Sequence, residues 1–348
     1  MKDVNASPVN AASADETPDA AALANVEPTN AGPVDAAPDA SSAAVPSAVI
    51  AVPFAGKRIP RLGMGTMALA IEGRPDRDTA IATIHAALDA GVRYLDTAWS
   101  YYLPSAPGAD GTGVATDFGY GELLVRDALA SWNGPRDEVL VATKIGLRRD
   151  FDENGKPIWP RDGKPEHLLE YGKQSAMALG VDTIDLLYMH RHDPEVPYNE
   201  SIEAVRQLLD EGVARYAGVS NVTIEQLDIA RGILGDRLIA VQNQYSPIHR
   251  ETRDTLDYCA KLGLAFVCWS PLGGFRHPYD EHLFDPFREV AAARGVSYQQ
   301  VTLAWELAQG DHMFVIPGCH RPATFLDSFK AGDLTLTDEE LAKLNAGA

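Results

Sequence analysis

Four ionisable residues stand where apolar segments end. Asp96 and Tyr101 lie in the stretch Tyr-Leu-Asp-Thr-Ala-Trp-Ser-Tyr, Lys144 closes Val-Leu-Val-Ala-Thr-Lys, and His190 closes Ile-Asp-Leu-Leu-Tyr-Met-His. A tyrosine hydroxyl titrates near pH ~10 and is a poor acid at neutrality. An adjacent ammonium favours the phenolate and pulls that value down. In a dry setting the ammonium needs a carboxylate partner to stay charged. Asp96 and Lys144 supply that chain to Tyr101, and His190 can hold a substrate oxygen or share the proton. A general acid with no nucleophile and no metal suits proton donation to a carbonyl oxygen during hydride transfer, with the hydride coming from a bound cofactor. Each residue alone has a structural reading: Asp96 as a cap, Lys144 as a rim charge, His190 as a satisfied core histidine. Their recurrence at the ends of three successive strands argues for one site.

Those residues need a scaffold that brings strand ends together. From Leu62 onward, apolar strands alternate with helical segments. Strands are predicted at Leu62–Thr66, Tyr94–Ala98, Val139–Lys144, Ile184–His190, Tyr216–Ser220, Leu238–Gln244, Leu264–Ser270 and Phe314–Pro317. Alternation of this kind predicts a parallel sheet. Eight units in about 300 residues predict a closed (β/α)8 TIM barrel, with active-site residues at the carboxyl ends of its strands. No Gly-x-Gly-x-x-Gly fingerprint opens a helix, which counts against a Rossmann fold. A short hairpin precedes the barrel, with its turn near Gly56. The first helix is predicted from Asp78, as N-cap, to Ala90, with Gly91 stopping it. Two long loops, Tyr102–Gly119 and Arg148–Lys164, follow the second and third strands and belong on the catalytic face.

The bulk properties narrow the function classes. The chain has 348 residues, 45% of them hydrophobic, and a formal net charge of -19. That charge argues against nucleic acid and anionic membrane as partners. No apolar run approaches a membrane span. The three cysteines, Cys259, Cys268 and Cys319, have no metal-ligand spacing. Cys268 reads as a buried thiol in an apolar strand, which fits a reducing, cytoplasmic setting. Residues 1–48 are nearly all Ala, Pro, Asp, Asn, Ser and Val and are expected to be a disordered tail, with the barrel domain spanning 49–348. The tail has neither the apolar core of a signal peptide nor the arginines of a transit peptide.

The motifs come in an order that resembles the aldo-keto reductases. Asp96-Thr-Ala-Trp-Ser-Tyr101, Thr143-Lys144 and Tyr188-Met-His190 look like that family's catalytic tetrad. The likeness continues through Gly218-Val-Ser-Asn221, Val241-Gln-Asn-Gln-Tyr-Ser246, Trp269-Ser-Pro-Leu-Gly273 and Ile316-Pro-Gly318. The resemblance implies that Tyr101 is the general acid, that Lys144 lowers its pKa, that Asp96 pairs with Lys144, and that His190 orients the carbonyl. It implies that Ser220, Asn221 and Gln242 hold the nicotinamide carboxamide and that Trp269 stacks on the ring. Ser270, Leu272 and Gly273 would run beside the pyrophosphate, and Gly65, Thr66 and Gly318 would touch the cofactor. Trp99, Tyr102, Phe118, Trp159 and His192 are candidates for the substrate wall.

Two departures stand out. The family's tyrosine is closely followed by glycine and an acid, whereas here Tyr120-Gly121-Glu122 arrives after an inserted loop, so Tyr120 is a rival acid. Tyr101 is preferred for its spacing from Asp96. At the adenosine end, the family's arginine, acid and asparagine fall on Thr324, Asp327 and Ser328. Arg321, or His320 if protonated, could replace the missing charge. NADPH is therefore the expected cofactor, with NADH as the alternative. The expected activity is reduction of a small-molecule carbonyl substrate. Alternatives are an NAD-linked sugar or polyol dehydrogenase and a non-catalytic, cofactor-binding regulatory subunit. No oligomeric state is implied.

Overall fold

The computed structural model describes residues 51–104, 117–274 and 281–346. The tail expected to be disordered, and most of the loop after Tyr102, lie outside the described residues.

The described residues begin with a hairpin of β1 (Ala51–Phe54) and β2 (Lys57–Pro60). Its two turn residues, Ala55 and Gly56, have φ of 51° and 77°. Two successive positive φ values give the turn whose twist matches a two-residue hairpin. The hairpin is a plug. Phe54 lies 4.8 Å from Phe314 and 6.1 Å from Tyr94, ring to ring, and Ile59 joins them in the barrel interior. One mouth of the barrel is thereby closed, and a ligand must enter by the other.

The barrel strands are β3 (Met64–Gly65), β4 (Tyr94–Asp96), β5 (Leu140–Ile145), β8 (Ile184–Met189), β9 (Ala214–Ser220), β10 (Leu238–Gln244), β11 (Ala265–Trp269) and β12 (Met313–Val315). They pair in parallel, each with its successor in this series. The ring closes where Leu62 bridges to Val315 and Gly63 N–H donates to Val315 O at 2.9 Å. A short antiparallel hairpin, β6 (Asp150–Phe151) and β7 (Pro157–Ile158), lies inside the predicted Arg148–Lys164 loop. Helices α1 (Arg77–Asp89), α2 (Tyr120–Ser131), α3 (Pro165–Leu179), α4 (Tyr198–Asp210), α5 (Ile224–Leu234), α6 (Arg253–Leu262), α7 (Asp285–Arg294), α8 (Tyr298–Leu307), α9 (Pro322–Phe329) and α10 (Asp338–Ala346) run between and after the strands.

Alternation along each strand sorts the side chains. Leu140 and Ala142, Leu186 and Tyr188, and Ala265 and Val267 fill the barrel interior. Val141 and Ile145, Leu187 and Met189, and Phe266 and Cys268 face the helices. The interior is tight: a Cβ on Gly218 would stand 2.2 Å from the Tyr188 ring. The lower barrel is thus a packed core, and the room for a ligand is at its open end.

The eight-strand expectation holds, with bounds shifted by a few residues. One cap differs. Asp76, and not Asp78, caps α1: its carboxylate accepts from Thr79 N at 2.9 Å and from the Thr79 hydroxyl at 2.7 Å. Both acids lie just ahead of the apolar face, and Arg77 is as compatible with the first turn as with a loop. Asp78 instead sits in that turn, where the helix dipole favours an acid.

Glu306 on α8 breaks the pattern of satisfied burial. It is 0% exposed, and neither carboxylate oxygen has a hydrogen-bond partner. Burial pushes its pKa well above the ordinary value. A carboxyl raised in the folded state contributes fully to stability below its unfolded pKa of about 4.3, and that contribution is lost as pH rises towards the folded value. The loss runs at about 1.4 kcal/mol per pH unit over that interval. Glu306→Gln removes the titration. Its melting temperature should match wild type near pH ~4.5 and exceed it by several degrees near pH ~8. A gap that does not change with pH would refute this account.

Candidate active site

The inward-facing positions of successive strands continue past the packed core into polar side chains. On β4 Tyr94 leads to Asp96. On β5 Leu140 and Ala142 lead to Lys144, and Tyr188 on β8 leads to His190, one residue beyond the strand. Gly218 on β9 leads to Ser220, Ala240 on β10 to Gln242, and Val267 on β11 to Trp269. Register brings the sets level: Asp96 pairs with Ala142, Lys144 with Tyr188, and Ser220 with Gln242. The period of two that builds the core therefore also builds the site.

Lys144 is the centre of the polar group and is 1% exposed. Its Nζ donates to Asp96 Oδ1, to Thr97 O at 2.8 Å, and to the Tyr101 hydroxyl at 3.4 Å. Gln242 Nε2 donates to Asp96 Oδ2 at 2.8 Å. Thr66 is fully buried outside the cavity, where its hydroxyl clasps Asp96 O at 3.0 Å. The charge on Lys144 is secure: burial alone would lower its pKa, but Asp96 and Tyr101 more than offset this and raise it. Burial pushes Asp96 up, opposed by Lys144 and Gln242. For Tyr101 the balance differs from the simple expectation. Burial pushes its hydroxyl up, and Lys144 only partly pulls it back. His190 is held well below its ordinary value by burial, then by Lys144 and Arg191. It is a neutral imidazole, suited to holding an oxygen and unsuited to carrying a second proton. His190 Nδ1 is buried with no partner.

Tyr101 and Tyr120 separate cleanly. Tyr101 lines the cavity at the barrel mouth, and Tyr120 does not. Tyr120 opens α2, with the Arg74 guanidinium 3.6 Å from its ring centroid. The insertion leaves and returns at one point, since Gly121 N–H donates to Tyr101 O at 2.9 Å. A Cβ on Gly121 would stand 2.8 Å from that oxygen, so glycine is needed for the return.

The cavity has a volume of about 270 Å3. Of the expected cofactor residues, Gly65, Ser220, Asn221, Gln242, Trp269, Ser270, Leu272, Gly273 and Gly318 line it. Asn221 and Ser270 hold φ of 58° and 49°, strained for non-glycine residues and commonest where a site dictates the backbone. Asn221 Nδ2 donates to His190 O at 3.1 Å, which ties the amide to the tetrad. Trp269 Nε1 is buried without a partner. The Trp269 indole, the Ser220, Asn221 and Gln242 side chains and the loop Ser270–Gly274, which ends in two glycines, are of the types that could hold a nicotinamide, its carboxamide and a pyrophosphate.

The other expected residues lie elsewhere. Arg321, Thr324, Asp327 and Ser328 are outside the cavity. Arg321 and Thr324 are exposed and Ser328 is buried. Asp327 accepts from the Ser297 hydroxyl at 2.5 Å and from Gln300 Nε2 at 2.7 Å, so it ties α9 to the start of α8. His320 is pushed towards the neutral form by burial and by Arg321, which leaves Arg321 as the cation there.

Of the five wall candidates, only Trp159 lines the cavity, its ring edge-on to Tyr101 at 6.3 Å. Trp99, Tyr102 and Phe118 pack on one another. Trp99 lies 4.0 Å from the Tyr171 ring and donates to Gln174 Oε1 at 2.9 Å. Trp99 thereby fastens the cluster to α3, because a large flat side chain covers apolar surface as readily as it lines a pocket. His192 is held by Val196 O at 3.2 Å and Gln226 Nε2 at 3.1 Å. Sequence reasoning missed Leu147, Arg161 and Arg191, which line the cavity. Arg191 could have been found, because it directly follows His190.

A (β/α)8 barrel with a buried Asp-Lys-Tyr chain and an adjacent neutral histidine at the mouth of a cavity is the arrangement of a class of oxidoreductase. A statistical model of the Aldo/keto reductase family matches residues 61–347, and this chain belongs to that family. It is 31% identical to pyridoxine 4-dehydrogenase of Escherichia coli (strain K12), over 83% of this chain and 95% of that one. It is likewise 31% identical to 6-dehydroglucose reductase of Novosphingobium aromaticivorans, over 82% and 91%. Among solved structures, glycerol dehydrogenase from Gluconobacter oxydans superimposes with a TM-score of 0.70 at 27% identity, covering 86% of this chain and 95% of that one. An aldo/keto reductase from Klebsiella pneumoniae in complex with NADP and acetate gives a TM-score of 0.64 at 26% identity, covering 83% and 91%. Among the described residues no helix is long and apolar enough to cross a membrane.

Proposed function

We propose that this chain reduces an aldehyde or ketone to an alcohol with NADPH, Tyr101 donating the proton. The observation that carries the reading is the position of Lys144 Nζ between Asp96, Thr97 O and the Tyr101 hydroxyl. The nicotinamide cofactor supplies the hydride when bound. Ser220, Asn221 and Gln242 would hold its carboxamide, and Trp269 would cover its ring. His190, neutral, donates a hydrogen bond to the carbonyl oxygen and polarises it. Tyr101 gives its proton to the same oxygen, and the phenolate left behind is stabilised by the Lys144 ammonium. Asp96 keeps that ammonium in place, and the barrel core below excludes water from the pair.

The phosphorylated cofactor is favoured because Arg321, at the start of α9, is a cation close to Ile316-Pro-Gly318. NADH, used by an NAD-linked sugar or polyol dehydrogenase, is the second reading. It is supported by an exposed Thr324 in the place expected for arginine, and by an Asp327 already engaged with α8. Relatives named as dehydrogenases of pyridoxine and glycerol fit the oxidative direction.

The test is fluorescence titration with NADPH and NADH on wild type and Arg321→Ala, with 4-nitrobenzaldehyde turnover measured beside it. NADPH should bind more tightly, and Arg321→Ala should lower that preference about tenfold, the effect of losing one charge-assisted hydrogen bond. Preference for NADH in wild type would replace the first reading with the second. Failure of both cofactors to bind would end both.

A further inference from the structure

Of the aromatic wall candidates only Trp159 reaches the cavity, and a buried charge sets its place. The insertion after β5 is a two-stranded ribbon. Leu147 bridges Arg161, Asp150 pairs with Ile158, and Phe151 pairs with Pro157. The register these pairs share puts Arg149 directly opposite Trp159, and opposed residues of an antiparallel pair stand on one face. The Arg149 guanidinium accordingly lies 3.8 Å from the Trp159 ring centroid. Its Nη2 donates to Glu72 Oε1, on the loop that follows β3.

A guanidinium is a costly group to bury at that place. The Arg149 side chain is fully buried, and its Nε and Nη1 make no hydrogen bond. An apolar residue would brace the ribbon without that desolvation. What offsets it is the Glu72 carboxylate on one side and the indole face on the other. A cation over a tryptophan ring is held most strongly when both are out of water.

The indole is fixed as a result. One of its faces is taken by Arg149, and the ring stands edge-on to Tyr101 at 6.3 Å. The same ion pair joins two loops: the one after β3, which carries Met67, and the insertion, which carries Leu147 and Trp159. All three of these residues line the cavity. They pack with Tyr101, Ala70 and Ile71 in one apolar cluster. Beside the proton donor there is thus a flat, apolar surface held from two loops.

We propose that Arg149, anchored by Glu72, is a positioning residue that fixes the Trp159 indole as a substrate wall, and that this wall selects carbonyl substrates with a flat, apolar group next to the carbonyl. A planar group can lie against the indole and Leu147 while its oxygen reaches Tyr101 and His190. The inference rests on the carbonyl-reductase reading. It adds to that reading a selectivity and the residues that set it.

The test compares benzaldehyde with cyclohexanecarbaldehyde on the full chain at saturating cofactor. Both are neutral and have the same number of carbons, but one ring is flat and the other puckered. In Trp159→Ala the ratio of kcat/KM for benzaldehyde over cyclohexanecarbaldehyde should fall about threefold to tenfold, the range of one aromatic contact. Arg149→Met should lower the ratio in the same way, through a higher KM for benzaldehyde. In the Trp159→Ala background Arg149→Met should lower it no further, because both changes act on one wall. An unchanged ratio in either single variant would overturn the inference, as would an equal effect of Arg149→Met with and without Trp159. If Arg149→Met does not fold, Glu72→Gln answers in its place: it leaves the guanidinium without its carboxylate, and the ratio should fall about twofold or more. A ratio unchanged there would overturn the role of the ion pair. If no aldehyde is turned over, calorimetric titration with benzamide and cyclohexanecarboxamide still decides. A benzamide preference lost in both Trp159→Ala and Arg149→Met would uphold the wall and sink the reductase reading. No benzamide preference in wild type, or one indifferent to Arg149, would sink the wall.

Discussion

Tyr101→Phe should lower kcat for carbonyl reduction by about 10²–10⁴-fold, the usual worth of a positioned general acid. The fold and the cofactor site should survive. The ring is buried and packs edge-on against Trp159 and His190, and phenylalanine keeps those contacts. Lys144 keeps its bonds to Asp96 and Thr97 O. The loss therefore belongs to the chemical step and should appear in kcat, with the cofactor Kd changed by less than about threefold, under 1 kcal/mol. Tyr120→Phe, outside the cavity, is the comparison, and an equal loss there would refute the assignment. The pH profile gives a second check. Reduction needs Tyr101 protonated, and burial raises its pKa above the ordinary tyrosine value. Activity should therefore hold through neutrality and fall only as pH rises through that raised value. His190 is neutral well below its ordinary range, so its titration should put no inflection near pH ~6.5.

Which strands end in ionisable side chains facing the cavity was legible in the sequence because the same rule places core and strand-end residues. Period-two alternation put Leu140 and Ala142 inside, and the next inward step is Lys144. The same count leads from Tyr188 to His190 and from Ala240 to Gln242. Spacing from Asp96 favoured Tyr101 over Tyr120 despite the insertion, and Gly121 returning to Tyr101 O shows why such an insertion is tolerated. What could not be read was direction within loops. Trp99, Tyr102 and Phe118 have the composition of a substrate wall, yet they pack on one another and, through Trp99, on α3, because no periodicity governs a loop side chain. Arg161 escaped for the same reason: its place is set by the bridge to Leu147, a contact between residues fourteen apart with no local signature. Asp327 was placed at the adenosine end by the family resemblance, and its engagement with Ser297 and Gln300 depends on how α8 and α9 pack.

Lys144→Met should damage both stability and catalysis, and a second substitution should tell the two apart. Methionine fills much of the lysine's volume but leaves Asp96, 2% exposed, with one remaining side-chain donor, Gln242. Removing one partner of a buried pair typically costs about 3–5 kcal/mol, because the other charge is stranded. The sign with pH follows. Burial already raises the Asp96 pKa, and Lys144 is the chief force opposing it, so loss of Lys144 raises it further. A raised carboxyl loses its contribution to stability as pH rises towards the folded value. The deficit of Lys144→Met against wild type should thus be larger near pH ~8 than near pH ~5. Adding Asp96→Asn removes the stranded charge, and most of the stability should return. Activity should not return, because Tyr101 has still lost the ammonium that stabilises its phenolate, and kcat should stay down by about 10²-fold or more. Denaturant melts and turnover of the single and double variants test both halves. A double variant as unstable as the single would mean that Lys144 supports the barrel by packing and not by charge. Recovery of activity with stability would mean that Tyr101 does not depend on Lys144 for its chemistry.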